Sequence, residues 1–161
     1  MADTIRAIMV NHVALDMAAP PAAVWQAILD DYVDARKFRE AGAIEPSHDP
    51  AAILGGYRIR IEHEGIVDER VVRITERDDE ARRLSAVADY LSVPGGMRVF
   101  ATYHAQEVAG GTRYAIDCHA ELDVAAPADR LAETLRELTS GADRHLLAYL
   151  ETVRARVEQQ A

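Results

Sequence analysis

This sequence has a single cysteine, Cys118, so no internal disulfide can form. No apolar run approaches the roughly 18 residues that a membrane-spanning helix needs. The N-terminus also lacks the basic and apolar regions of a secretory signal. These absences predict a cytoplasmic protein that folds without disulfides and does not enter a membrane.

An excess of positive charge is missing as well. The formal net charge is -9, which argues against nucleic acid and against anionic membrane surfaces as partners. The six histidines are scattered, and no metal-binding pair or cluster with cysteine occurs. Because the glycine motifs that hold nucleotide phosphates are also absent, we predict neither a metal site nor a cofactor.

What remains is an ordinary globular composition, with 49% hydrophobic and 28% charged residues in a chain of 161. That length predicts a single domain over residues 1–161, large enough to bury roughly two-thirds of its unfolded surface. The N-terminal part alternates over Ile8–Met17, which predicts a strand. Pro20 and Pro21 then open a helix that reaches about Tyr32, because proline suits the first helical turn.

The sequence pattern in the middle of the chain predicts a series of antiparallel strands. A short helix is expected over Asp34–Glu40, and Ile44–Pro50 fits either a short strand or an irregular connection. Alternating segments separated by glycine-rich or polar turns predict five further strands: Tyr57–His63, Ile66–Arg77, Arg83–Leu91, Met97–Val108 and Thr112–Val124. The last helix begins at Ala126-Pro127 and runs to about Gln159, with an apolar stripe of Leu131, Leu135, Leu138, Ala142, Leu146, Tyr149, Val153 and Val157.

This order of elements resembles the START/polyketide-cyclase superfamily (SRPBCC), whose members have the helix-grip fold. The matching segments are Ala19-Pro20 with Val24-Trp25, Val67-Asp-Glu-Arg-Val71 with Arg82-Arg83-Leu84-Ser85, and Gly110-Gly111-Thr112-Arg113. The resemblance implies an α+β fold in which a curved antiparallel sheet of about seven strands surrounds a long C-terminal helix, with two short helices after the first strand. It also implies a deep, mostly apolar cavity. Members of the superfamily bind or transform hydrophobic small molecules.

Two candidate acid–base residues lie on neighbouring strands. His63 shares its alternation with Tyr57 and Ile61, so it should point inward. A three-residue loop after His63 would place Glu69 inside, whereas a two-residue loop would place Asp68 and Arg70 there. We favour the three-residue loop because the resemblance places Glu69 in the pocket. Such a pair could move a proton at neutral pH, although Glu69 could instead pair with an arginine while His63 sits at a wet strand end.

The strand Met97–Val108 has two possible registers. If Phe100 faces inward, so do Thr102 and His104, and His104 becomes a third catalytic candidate. If the strand contains a bulge, Tyr103 takes that place. Ala86 and Ala88 are small and should leave room in the cavity. The candidate substrate-binding residues are Asn11, Tyr57, Ile61, Ala86, Ala88, Tyr90, Phe100, Tyr103, Tyr114, Leu138 and Ala142.

Three functions fit these observations. The favoured one is a cofactor-independent enzyme of the cyclase or lyase type that acts on an aromatic or polyketide-like substrate through His63, Glu69 and His104. The second is a non-catalytic carrier of a lipid or hydrophobic metabolite. The third is an interaction module with a collapsed cavity and an exposed apolar patch. The expected partner is a hydrophobic small molecule, and a homodimer is compatible with the sequence.

Overall fold

A computed structural model describes residues 3–39, 42–46 and 52–160. The elements follow in the order β1 (Asp3–Met17), α1 (Pro21–Tyr32), α2 (Arg36–Arg39), β2 (Ala43–Pro46), β3 (Gly56–His63), β4 (Ile66–Asp78), β5 (Arg83–Tyr90), β6 (Met97–Val108), β7 (Gly111–Ala126) and α3 (Leu131–Glu158), the last preceded by a 3-10 turn over Ala128–Arg130. The predicted end of the short helix at Glu40 and the segment 47–50 lie outside the described residues. Among the described helices, none is both long and apolar enough to cross a membrane.

The seven strands form one antiparallel sheet in the order β1-β7-β6-β5-β4-β3-β2. The three helices pack on one face, which we call the inner face. On β1, the side chains of Ala7, Val13 and Met17 are buried there, while Ile8 and Val10 are exposed on the opposite, outer face. The predicted α+β helix-grip architecture, with two short helices and one long helix, is therefore confirmed.

The helix α1 begins where the two prolines predict. The carbonyl of Pro20 accepts hydrogen bonds from the backbone N–H groups of Ala23 and Val24, at 3.0 and 3.3 Å. The missing N–H of Pro21 costs nothing in this first turn. Trp25 is buried and donates its indole N–H to Asp79 Oδ1 at 3.1 Å. This bond fixes α1 to the turn between β4 and β5.

The inner face carries two hydrophobic clusters. The larger one includes the C-terminal half of α3, where Leu150, Val153 and Val157 are almost fully buried. The smaller one lies under the start of α3, on the ends of β1 and β7. The predicted apolar stripe of α3 is wrong at Leu138, whose residue surface is 40% exposed, and it omits Leu150.

The hairpin between β3 and β4 corrects one register. His63 pairs with Ile66, so the loop has two residues, Glu64 and Gly65, and not the three that we favoured. Both residues have positive φ, 51° and 80°. A two-residue turn of this kind matches the natural twist of paired strands, and glycine accepts its second position without strain. The one-residue difference reverses which side chains of β4 face inward.

The register of β6 is the second correction. This strand pairs with β5 and β7 without a shift, so no bulge is needed to turn Tyr103 inward. Tyr103 lies opposite the buried Leu84 and shares its face. Phe100 and His104 consequently lie on the outer face, where the ring of Phe100 stacks on His119 with centroids 4.6 Å apart.

Candidate functional site

A cavity of about 130 Å³ lies on the inner face, between the sheet, the two short helices and α3. Its wall includes Tyr103 from the larger hydrophobic cluster and Val99, which packs on the smaller one. The space exists because three neighbouring positions on β5 and β6 carry alanine: Ala86, Ala88 and Ala101. Well-packed interiors contain few voids larger than a water molecule, so a space of this size is a candidate binding site.

Aromatic rings form much of the cavity wall. Tyr32 of α1 stacks on Tyr103 of β6, with ring centroids 3.9 Å apart and planes 25° apart. Phe38 of α2 meets the edge of Tyr32 and lies 5.8 Å from Tyr57. Rings from two helices and two strands thus meet around the same space, and they favour an aromatic or apolar ligand.

The tyrosine hydroxyls around the cavity remain protonated at neutral pH. Burial raises the pKa of Tyr32, Tyr57, Tyr90 and Tyr103 above its ordinary value. Tyr57 is only 4% exposed, and its hydroxyl has no hydrogen-bond partner among the described residues. An unsatisfied buried hydroxyl costs about 1–3 kcal/mol, so a ligand that accepts its hydrogen bond would remove this cost.

Lys37, on α2, is the only lysine of the chain, and it lines the cavity. Its ammonium group donates to Tyr32 Oη at 3.1 Å and lies 3.9 Å from the centroid of the Tyr149 ring. The rings of Tyr32 and Phe38 lie 5.1 and 5.6 Å away. Burial lowers the pKa of Lys37 from 10.5 to about 8. The group is therefore mostly charged at pH 7, in an environment that disfavours the charge.

Arg70, on β4, supplies a second positive charge. Its Nε donates to both carboxylate oxygens of Asp68, at 3.0 and 3.2 Å, and its guanidinium lies 4.4 Å from the centroid of the Tyr90 ring. Burial opposes the charge of Arg70, but the hydrogen bonds that it donates to Asp68 help to raise its pKa. Arg70 thus lines the cavity as one half of a charge-balanced pair with Asp68.

A buried carboxylate, Asp31 of α1, holds the helices together beside the cavity. It is 1% exposed. Its Oδ1 accepts from Arg36 Nε at 3.0 Å. Its Oδ2 accepts from the Tyr149 hydroxyl at 2.8 Å and from Arg156 Nη2 at 2.7 Å. Asp31 therefore has structural partners on α2 and α3 and is not available to a ligand.

Five of the residues predicted to bind substrate line the cavity: Tyr57, Ala86, Ala88, Tyr90 and Tyr103. Two of the three predicted catalytic residues do not. Glu69 lies on the outer face, where it accepts from Arg58 Nε at 2.9 Å, as expected for a structural ion pair. His104 also lies on the outer face, with Nε2 3.1 Å from the carbonyl oxygen of Ala81. The third, His63, ends β3, and its side chain lies outside the described residues.

The other predicted binding residues have other surroundings. Phe100 is on the outer face, as described above. Asn11 faces inward but donates to the Thr139 carbonyl and to Asp143 Oδ1, at 3.1 and 2.8 Å, and so joins β1 to α3. Four more lie outside the cavity lining: Ile61, Tyr114, Leu138 and Ala142. The cavity meets α3 further along, at His145 and Leu146.

Several lining residues were missed by the sequence reasoning, chiefly Tyr32, Lys37 and Phe38. For Lys37 the composition carries a signal. A single lysine among 18 basic residues, next to a phenylalanine in a short helix, is an unusual composition for a solvated surface. In the part of the chain that the structure describes, no group of three or more His, Cys, Asp or Glu side chains could hold a metal ion.

Comparisons with known proteins identify structural relatives only. No protein-family profile matches the chain, and no curated protein matches it in sequence. The ZhuI aromatase/cyclase from Streptomyces sp. R1128 superposes with a TM-score of 0.64 and 20% identity, over 96% of each chain. TTHA0849 from Thermus thermophilus gives 0.59 and 18%, over 96% of this chain and 99% of that one.

A further solved structure, Ara h 8.0201, superposes with a TM-score of 0.59 and 13% identity, over 91% of this chain and 99% of the other. All three identities are too low to transfer an activity. They agree with the element order, the sheet topology and the long C-terminal helix found in this chain. This protein therefore has the helix-grip fold that its sequence predicts, and it shares that fold with these three solved structures.

Proposed function

We propose that this protein binds a hydrophobic small molecule, about the size of one aromatic ring, in the cavity on the inner face of its sheet. The observation that carries the proposal is the space above Ala86, Ala88 and Ala101, about 130 Å³ and walled by aromatic rings. An apolar cavity of about 150 Å³ in another protein takes up benzene. Drug-sized ligands occupy roughly 300–1,000 Å³, so a larger ligand would require the cavity to widen.

The test compares ligand binding by the unmodified chain with binding by a variant in which a larger side chain fills the cavity. Toluene binding would be measured by calorimetry and by saturation-transfer NMR for the unmodified chain, Ala88→Leu and Val87→Leu. Ala88 lines the cavity, while its neighbour Val87 faces the outer side of the same strand. We expect toluene to bind the unmodified chain and Val87→Leu, and to lose at least about tenfold in affinity for Ala88→Leu. Equal binding to all three proteins, or no binding to the unmodified chain, would contradict the proposal.

A cofactor-independent cyclase or lyase is the second candidate. The predicted Glu69 and His104 do not support it, because both lie away from the cavity. What supports it is the Lys37 amine at the cavity wall, whose pKa of about 8 lets it exchange a proton near neutral pH. A relative whose name includes aromatase/cyclase, ZhuI, shares the fold.

Proton abstraction gives a direct assay for this candidate. The small probe 5-nitrobenzisoxazole opens its ring when a base removes one proton, without any cofactor. If Lys37 acts as a base, the rate should rise with a midpoint near pH 8 and fall by at least about tenfold in Lys37→Met. Arg39→Met, which removes an exposed charge from the same helix, should not change the rate. A rate equal in the unmodified chain and in Lys37→Met would exclude Lys37 as the base.

A further inference from the structure

We infer that the cavity selects a ring compound that carries a carboxylate, with Lys37 as its counter-ion and the Tyr57 hydroxyl as a second donor. This inference rests on the proposed function, since it names the chemical class of the ligand. It starts from the charges around the cavity, which do not balance.

Lys37 has no acidic partner in the regions the structure describes. Its ammonium contacts one hydroxyl, that of Tyr32, and the faces of aromatic rings. Asp31 is the carboxylate whose negative charge favours the protonated form of Lys37. Both of its oxygens, however, already accept hydrogen bonds from Arg36, Tyr149 and Arg156. Lys37 is half-buried. A partly desolvated ammonium without a carboxylate beside it is costly, and an anionic ligand would supply the missing partner.

The ion pair of Arg70 with Asp68 does not compensate Lys37. Asp68 is occupied by Arg70, which donates to both of its oxygens. Lys37 and Arg70 both line the cavity, and of these two only Arg70 has a carboxylate beside it among the described residues. The lining thus carries one uncompensated positive charge, while the whole chain carries -9. A local positive charge inside a strongly acidic protein is what an anion requires in order to enter.

Tyr57 provides the second recognition element. Its hydroxyl is buried and lacks a partner among the described residues, and its raised pKa keeps the proton in place. The Phe38 ring lies beside both groups. Its centroid is 5.6 Å from the Lys37 nitrogen and 5.8 Å from the centroid of the Tyr57 ring. Lys37 offers only donors, and the protonated Tyr57 hydroxyl offers one O–H donor that is not in use. A carboxylate is the common group that only accepts.

The competing explanation is that Lys37 is purely structural. Its ammonium lies against three rings, and these contacts could simply fasten α2 to α3. The two explanations differ in their consequences. A structural lysine would affect every ligand of the cavity equally, whereas a counter-ion would affect only charged ones.

The experiment compares three probes of similar size by calorimetry: benzoate, its neutral analogue benzamide, and toluene. We expect the unmodified chain to bind benzoate at least about tenfold more tightly than benzamide, which is the scale of one charge-assisted hydrogen bond. Lys37→Met should remove this preference and leave toluene within about twofold. Tyr57→Phe should weaken benzoate by a smaller factor, and Arg39→Met should change none of the three affinities.

A spectroscopic readout follows from Lys37 being the only lysine. Its side-chain Cε–Hε signal is unambiguous in NMR spectra. Benzoate should raise the titration midpoint of this signal by about one pH unit, and toluene should not raise it.

Each outcome has a distinct meaning. If toluene binds but benzoate and benzamide bind equally, the carboxylate selectivity is overturned and the proposed function stands. If Lys37→Met weakens toluene and benzoate alike, Lys37 is structural and the inference is also overturned. If none of the probes binds the unmodified chain, the proposed function itself fails.

Discussion

Lys37 shows how far one residue can depart from its ordinary chemistry. Every other basic side chain of Lys or Arg type in this chain is an arginine, and most of the described arginines pair with carboxylates at the surface. Lysine differs because its amine loses its proton far more readily when it is buried. The lysine thus stands at a position that faces the cavity, where the environment adjusts its charge.

The pKa of Lys37 leads to a pH-dependent stability. Between pH 8 and 10.5 the unfolded chain keeps a proton on Lys37 that the folded chain has released. The unfolded state then binds more protons, so the free energy of unfolding rises with pH in this window. Below pH 8 the folded chain bears the full cost of burying the charged amine of Lys37. Lys37→Met removes this effect. From pH 7 to pH 10, we expect the free energy of unfolding to increase more in the unmodified chain than in Lys37→Met, by on the order of 2 kcal/mol.

Urea denaturation of both proteins at four pH values between 7 and 10 would measure this difference. The tyrosines titrate in the same way in both proteins, so their effect cancels in the comparison. Arg39→Met serves as the control and should run parallel to the unmodified chain. A constant difference between the unmodified chain and Lys37→Met across this range would show that the pKa of Lys37 is not lowered.

At the scale of elements, Asp31 fixes how three helices meet. Asp31→Asn removes a charge that balances Arg36 and Arg156, whose side chains are 37% and 28% exposed. Because water reaches both arginines in part, we expect a loss of about 1–3 kcal/mol rather than the larger cost of a fully buried pair. Asp30→Asn, next to it and more exposed, should cost less than about 1 kcal/mol. Thermal unfolding would compare the two, and equal losses would contradict the assigned role of Asp31.

The long helix α3 contains Gly141 at a position where the structure leaves room for a side chain. A Cβ atom at Gly141 would meet only the end of the Arg144 side chain, at 3.8 Å. We therefore expect Gly141→Ala to stabilise the protein by about 1 kcal/mol. Gly95→Ala is the contrasting change, since Gly95 has a φ of 75° and a Cβ there would collide with the Asp123 carboxylate. A destabilised Gly141→Ala protein would show that the helix requires a bend or a close contact at this point.

Most elements could be predicted from the sequence because alternation and turn residues mark strand ends directly. The bounds Pro21–Tyr32 and Met97–Val108 agree with the structure at both ends. Which face a strand turns inward was harder to predict, because it depends on a single residue in a hairpin loop. The two-residue turn at Glu64-Gly65 moves Glu69 out of the cavity and brings Asp68 and Arg70 to the inner face.

At the scale of the whole molecule, the site is assembled from parts that are distant in sequence. The cavity wall combines α1, α2 and α3 with residues of β3 to β7. Alternation identified two of the three cavity alanines, Ala86 and Ala88, and several tyrosines on the strands, but it does not report which helix residues close over them. Tyr32, Lys37 and Phe38 belong to elements whose inward face is fixed only by packing against the sheet, so the sequence pattern did not predict them.

The most direct test of the central proposal is to locate a bound ring within the protein. Isotope-filtered NOE spectra of the 13C-labelled chain with unlabelled toluene would report which methyl groups the ring contacts. We expect NOEs from toluene to the methyl groups of Ala88 and Ile116, which line the cavity on β5 and β7. NOEs only to Val10 and Val87, on the outer face, or no intermolecular NOEs at all, would contradict the proposal that this cavity binds the ligand.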